Sequence, residues 1–273
     1  MGQFYSLITH LSGSVLHADS QTKYEEARQR QEEKAFGLGE IIGASPELLE
    51  NLASRLFESD HAPYRTAFGR GLVSAAAQPR DVWQVLLEKL RDLETQSFDF
   101  CVLSGAFEEL SKSDPKLTAE FLDAAADDEL LKPNIVGLHP YARFSNDDFD
   151  RCLKVFEEFE NSPHGFEVLF WGDRFQEIEY GKLVRLAKLM LQKNNGEFAF
   201  LEAMTMRLHD KQEGEDALGE ELRRLAIRAA ANHFLKDDPH PGGSGDYRLT
   251  EVVLAFRPVY SQFKMDHGFI LGC

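Results

Sequence analysis

Apolar residues return along this chain every three or four positions, and strict two-residue alternation is nearly absent. That is the mark of amphipathic helices rather than half-buried strands. Over residues 146–160, Phe149, Cys152, Leu153, Phe156 and Phe159 share one helical stripe, with Asp147, Asp150, Lys154, Glu157 and Glu158 largely off it. Val82, Val85, Leu86, Leu90 and Leu93 repeat the arrangement over 81–93, and Leu183, Leu186, Ala187, Met190 and Leu191 repeat it over 183–191. Between these stretches stand FDFCVLSGAFEEL (98–110), GFEVLFWGDRF (165–175) and GEFAFLEAMTMRL (196–208), which are apolar on most faces. Such segments predict helices covered by neighbours on both sides.

The predicted helix starts recur at a regular interval. First helices begin near Pro46, Pro79, Pro115, Asn146 and Tyr180, spaced by about 33, 36, 31 and 34 residues, within the range of stacked helical repeats. Second helices begin near Tyr64, Phe98, Ile135, His164 and Phe198 and keep step. Ser45-Pro46, Gln78-Pro79 and Asp114-Pro115 put proline at the first helical position, where its missing N–H costs nothing. Ser45 and Asp114 are also good N-caps. Gly69, Gly105, Gly172 and Ala203 fall near one level of the second helices. Glycine costs about 1 kcal/mol against alanine inside a helix, so its return points to close packing. The segment NIVGLHPYARF carries Pro140 and is expected to be short or kinked.

The expectation is an all-α fold, a right-handed α-solenoid of about five HEAT-like helical hairpins with capping helices. Residues 1–44 read as an N-terminal capping segment and 45–212 as the repeats. Residues 213–238 read as a C-terminal capping helix along Leu218, Leu222, Leu225, Ala229 and Phe234. Residues 239–273 read as a linker, HPGGSGD, followed by a terminal apolar helix in which VVLAF would also suit a short strand. The apolar end FILGC fits a segment that continues in a longer protein.

Composition narrows the function. A hydrophobic content of 43% with 21 Phe supports a sizeable core. The 46 acidic residues against 30 basic ones give a net charge of −16, which repels phosphate backbones and disfavours nucleic acid. A protein partner with basic patches fits better. No apolar run approaches the about 18 residues of a membrane span. Three distant cysteines, Cys101, Cys152 and Cys273, fit a reducing, cytoplasmic setting better than a disulfide framework. MGQFYS places Gly2 and Ser6 at the spacing of an N-myristoylation signal, although a Met-Gly start is also a common remnant of cloning.

Candidate chemistry is sparse. Asp147, Asp148 and Asp150 follow Ser145 at a predicted helix start and lack the central Gly and terminal Glu of a calcium loop. Ser145 with Asp148 reads as a capping box, and the helix dipole favours acids there. His61 and His164 lie outside metal-ligand spacings, and His240 and His267 read as surface residues. Cys101 and Cys152 fall on helical stripes and read as small core residues. No phosphate loop, dinucleotide fingerprint or nucleophile elbow occurs, and PGGSGD lacks the following Lys. The chain therefore reads as non-catalytic, with no catalytic, cofactor-binding or metal-binding residue assigned. Trp171 is expected to pack between repeats. Arg70, Asp173 and Arg174, on second-helix positions, are the candidate partner contacts.

AFGRGLVSA (67–75), LSGAFEEL (103–110), FLDAAADDELLKP (121–133) and FAFLEAMTMRL (198–208) resemble the degenerate helical repeats that follow the nucleotidase in large bacterial STAND-type NTPases, including antiphage defence proteins. The resemblance covers about residues 36 to 210. It implies a region that recognises a trigger, often a foreign protein, while a separate module binds ATP. It transfers no site residue. The expected function is thus a protein-recognition scaffold. The alternatives are a hydrolase whose site is assembled from scattered polar residues, and a nucleic-acid-binding HEAT-repeat protein.

Overall fold

The computed structural model describes residues 21–57, 64–93, 99–140, 144–158, 165–170, 177–209 and 219–235, and every regular element among them is helical. In chain order these are α1 (Gln21–Gly43), α2 (Pro46–Leu52), α3 (Arg65–Ser74), α4 (Pro79–Arg91), α5 (Cys101–Ser113), α6 (Pro115–Asp127) and α7 (Ile135–Leu138). Then come α8 (Asn146–Glu158), α9 (Tyr180–Met190), α10 (Gly196–His209) and α11 (Gly219–Leu235). Short 3₁₀ turns occupy Ala53–Phe57, Lys132–Asn134 and Glu167–Phe170. Contacts divide the chain into two compact units, 1–143 and 144–273. No described helix is long and apolar enough to cross a membrane.

The first helices start where the sequence places them, and for the stated reasons. Ser45 Oγ accepts the Leu48 N–H, and Asp114 Oδ1 accepts the Leu117 N–H at 3.0 Å. Pro46, Pro79 and Pro115 each stand in the first turn. α7 is four residues long, the short helix that Pro140 predicts.

Within the first unit, α1, α3 and α5 form one row. Gly39 faces Phe68 to Leu72 and Gly43 faces Leu72, while Arg65 pairs with Asp99 and Arg70 reaches Glu108. The contacts advance together along each pair, so the three helices run side by side in the same direction. They meet backbone to backbone. A Cβ on Gly39 would come within 3.0 Å of the Phe68 carbonyl oxygen, and one on Gly71 within 3.0 Å of that of Phe36. The next interface repeats the reciprocal arrangement, Gly69 against the Val102 carbonyl and Gly105 against that of Thr66. Only glycine admits this approach, in which the carbonyls of one helix lie over the small residues of the next. The expectation of close packing at Gly69 and Gly105 thus holds.

A second row, α2, α4 and α6, covers this one. Trp83 of α4 stacks on Phe121 of α6 (5.2 Å) and tilts against Phe107 of α5 (5.2 Å). Ion pairs step along the row from Glu50 to Lys89, from Arg80 to Glu120 and from Arg91 to Asp128. Phe57, Phe68, Leu72, Leu86, Leu90 and Phe107 fill the core between the rows.

The second unit holds α8 to α11. Lys182 pairs with Asp150 at 2.7 Å, Arg185 with Glu157, and Lys188 with Glu221 at 3.0 Å. Ala203 of α10 is fully buried, and Phe170 meets Phe200 edge-on at 5.9 Å. Tyr180 caps α11 from another helix: its phenol oxygen accepts the N–H groups of Glu221 (3.0 Å) and Leu222 (3.1 Å). One expectation fails here. The helix predicted over 165–175 is absent over its described part, where Gly165 takes φ 93° and a 3₁₀ turn spans Glu167–Phe170. A left-handed glycine breaks helical entry at that point, and residues 171–176 lie outside the described ones.

Candidate functional site

On α3 every residue is buried except Thr66, Arg70 and Ser74. Their four-residue spacing puts them on one stripe, and the neighbouring helices extend it sideways. Ser74 Oγ donates to Glu40 of α1 (3.4 Å). The Arg70 guanidinium lies 5.8 Å from the centre of the Phe36 ring of α1, and its Nη1 stands 3.6 Å from the Glu108 carboxylate of α5. Lys112 Nζ in turn lies 3.5 Å from Glu108 and 3.0 Å from Glu109. Three parallel helices therefore present one continuous polar face, with Arg70 near its middle.

A buried ion pair fixes the spacing of that face. Arg65, 4% exposed, donates to Asp99 Oδ2 at 3.0 Å. The other oxygen of Asp99 accepts the Cys101 N–H at 2.8 Å and so starts α5. Cys101 is exposed as a residue, against the expectation of a core position, whereas Cys152 is buried as expected. Cys101 opens α5 beside Thr66 and Asp99, and its thiol bonds to both. Burial of the sulfur, then the hydrogen bond and charge of Asp99, push that thiol up to about 11. At neutral pH it is a protonated thiol and a poor nucleophile.

The acids at 147–150 serve the helix start. Asp148 N–H donates to Ser145 Oγ (3.2 Å), and Ser145 N–H donates back to Asp148 Oδ2 (2.9 Å). This is a reciprocal capping box with Asp in place of Glu. Asp148 also pairs with Arg151 at 2.7 Å, and Asp150 with Lys182. His139 is fully buried, with Nδ1 2.7 Å from the Ile135 carbonyl oxygen. Among the described residues no three His, Cys, Asp or Glu side chains come together as metal ligands do.

Of the three predicted contacts, Arg70 lies on the polar face, while Asp173 and Arg174 lie outside the described residues, as do Trp171 and Gly172. His61, His164, His240 and His267 also lie outside them. Sequence reasoning missed Phe36 and the whole of α1 as part of this face. A signal was present: AFGLG (35–39) recurs as AFGRG (67–71), and the second glycine of each, Gly39 and Gly71, serves the α1–α3 contact. Comparison with family models, with curated proteins and with solved structures finds no match.

Proposed function

We propose that this chain is a non-catalytic protein-recognition scaffold, an α-solenoid of HEAT-like hairpins whose working surface is the Thr66–Arg70–Ser74 face. On this reading it corresponds to the trigger-sensing repeats of STAND-type defence NTPases, as its sequence resemblance implies. The observation that carries the proposal is the exposure pattern of α3. A helix buried at every position but one polar stripe, between two parallel neighbours, offers solvent a single extended face. That face is built for protein rather than for nucleic acid. Glu33, Glu40, Glu108 and Glu109 outnumber Arg70 and Lys112 on it, and carboxylates repel a phosphate backbone. Cys101, which opens α5 beside Thr66, has its thiol pushed up to about 11 and is protonated at neutral pH.

The test is affinity capture with the intact immobilised chain, wild type against two sets of variants. Thr66→Arg and Ser74→Arg should abolish capture of any specific partner. Arg80→Gln and Glu120→Gln, in the second row, should leave it unchanged. Capture that ignores the stripe, or that falls equally with both sets, would overturn the assignment of the face.

A further inference from the structure

Arg70 is held in place without being satisfied. Among the described residues it makes no hydrogen bond, and its nearest carboxylate stands at 3.6 Å, beyond the length of a good N–H···O bond. Its Nε is enclosed and unbonded while the side chain as a whole is 34% exposed. The donors that can face solvent are therefore the terminal Nη groups. The Phe36 ring beneath the guanidinium limits its freedom, so little entropy is lost when a planar partner docks. Arg70 and Phe36 line an open depression whose α1 wall carries Glu25, Glu32 and Glu33. Among the described residues, Glu32 pairs with Arg28 (3.4 Å) and Glu33 accepts from Gln29 (3.1 Å), both exposed neighbours one turn away. Such pairs are worth little and exchange readily.

We infer that this depression takes a peptide segment of mixed charge, one acidic side chain bonded to Arg70 and a nearby Lys or Arg reaching Glu32 and Glu33. A wholly basic segment would set a cation against Arg70, and a wholly acidic one would set carboxylates against three others. The inference rests on the recognition reading above and sharpens it, because it names the chemistry the face selects.

Panning a random dodecapeptide phage library against the intact chain tests it. Enriched peptides should pair Asp or Glu with Lys or Arg within a few residues. Synthetic versions should lose about tenfold or more in affinity against Arg70→Gln, as expected for a charge-assisted bond. Arg70→Lys should bind at an intermediate level, and Glu33→Gln should weaken only peptides that retain the basic residue. Thermal melts of each variant separate lost binding from lost fold. Enrichment of one charge sign, no enrichment, or equal binding to a folded Arg70→Gln chain would overturn the inference. Partner capture that depends on Thr66 and Ser74 but is indifferent to Arg70→Gln and Glu33→Gln would overturn it while leaving the recognition face standing. Capture indifferent to all four would end both.

Discussion

Asp99 does two jobs with two oxygens, and both are lost together when it is changed. Arg65 is almost fully enclosed, so removing the Asp99 carboxylate takes a counter-charge from a guanidinium that water reaches poorly. Asp99→Ala is expected to cost about 3 kcal/mol, the lower end for a broken buried pair because Asp99 itself is 24% exposed. Urea unfolding followed by circular dichroism measures it, and a loss below about 1 kcal/mol, the value of a surface pair, would show that the pair is hydrated. Cys101 offers a check by pH. Its thiol titrates near 11 rather than at the usual 9.0, so the thiolate is scarce below the folded value. Iodoacetamide should label Cys101 at pH 7.5 on the order of a hundredfold slower than an unstructured cysteine, accelerating steadily as pH rises. Peptide-level mass spectrometry reads this site separately from Cys152 and Cys273. Fast labelling at pH 7.5 would mean the sulfur is neither buried nor held by Asp99. At this scale the sequence was clear about caps, since Ser45, Asp114 and the Ser145–Asp148 box act through bonds within one turn. It was misleading about Cys101, whose thiol is held by Thr66 from 35 positions away as well as by neighbouring Asp99.

Glycine decides the spacing of the helices in the first unit, and two glycines of similar sequence setting should respond in opposite directions. Gly71→Ala would drive a Cβ into the Phe36 carbonyl and the Glu40 backbone, which cannot rotate aside. Overpacking of this kind costs about 3 kcal/mol or more, against roughly 1 kcal/mol gained from helix propensity, so a net loss near 2 kcal/mol is expected. A Cβ on Gly37 meets nothing within 4 Å, so Gly37→Ala should stabilise by about 0.5–1 kcal/mol. Paired urea titrations test the contrast, and destabilisation by both variants, or by neither, would contradict the packing described. Element starts were legible because proline and short polar side chains act locally. Over its described part, 165–170, the segment misled because its apolar pattern outvoted Gly165, and four to six residues of apolar run look alike in a helix and in a 3₁₀ turn. The role of α1 was hidden by its charged first half, although its glycines repeat those of α3.

Net charge is a property of the whole chain and sets a prediction that no single pair can. The described ion pairs are mostly exposed on at least one side, and exposed pairs of this kind contribute at most about 1 kcal/mol, less as salt is added. Against them stands the repulsion of an excess of 16 negative charges over the whole chain. Repulsion acts over many pairs at longer range than contact bonds do, so screening relieves it first. The melting temperature should therefore rise, not fall, between about 10 and 150 mM NaCl, where the screening length shrinks from about 30 to 8 Å. Differential scanning fluorimetry at pH 7.5 is enough to decide this. A falling melting temperature would mean that the interhelical pairs act as a network, with Lys182–Asp150, Arg185–Glu157 and Lys188–Glu221 the first to examine by double-mutant cycles. The charge and the spacing of the first-helix starts could be read directly from the chain, being sums and intervals. Which side chains share a face could not, because that depends on which helix lies beside which. The same screening weakens capture of a partner held by Glu32 and Glu33. Stability and binding should therefore move in opposite directions over this salt range, and a binding strength that rises with stability would argue against an electrostatic recognition face.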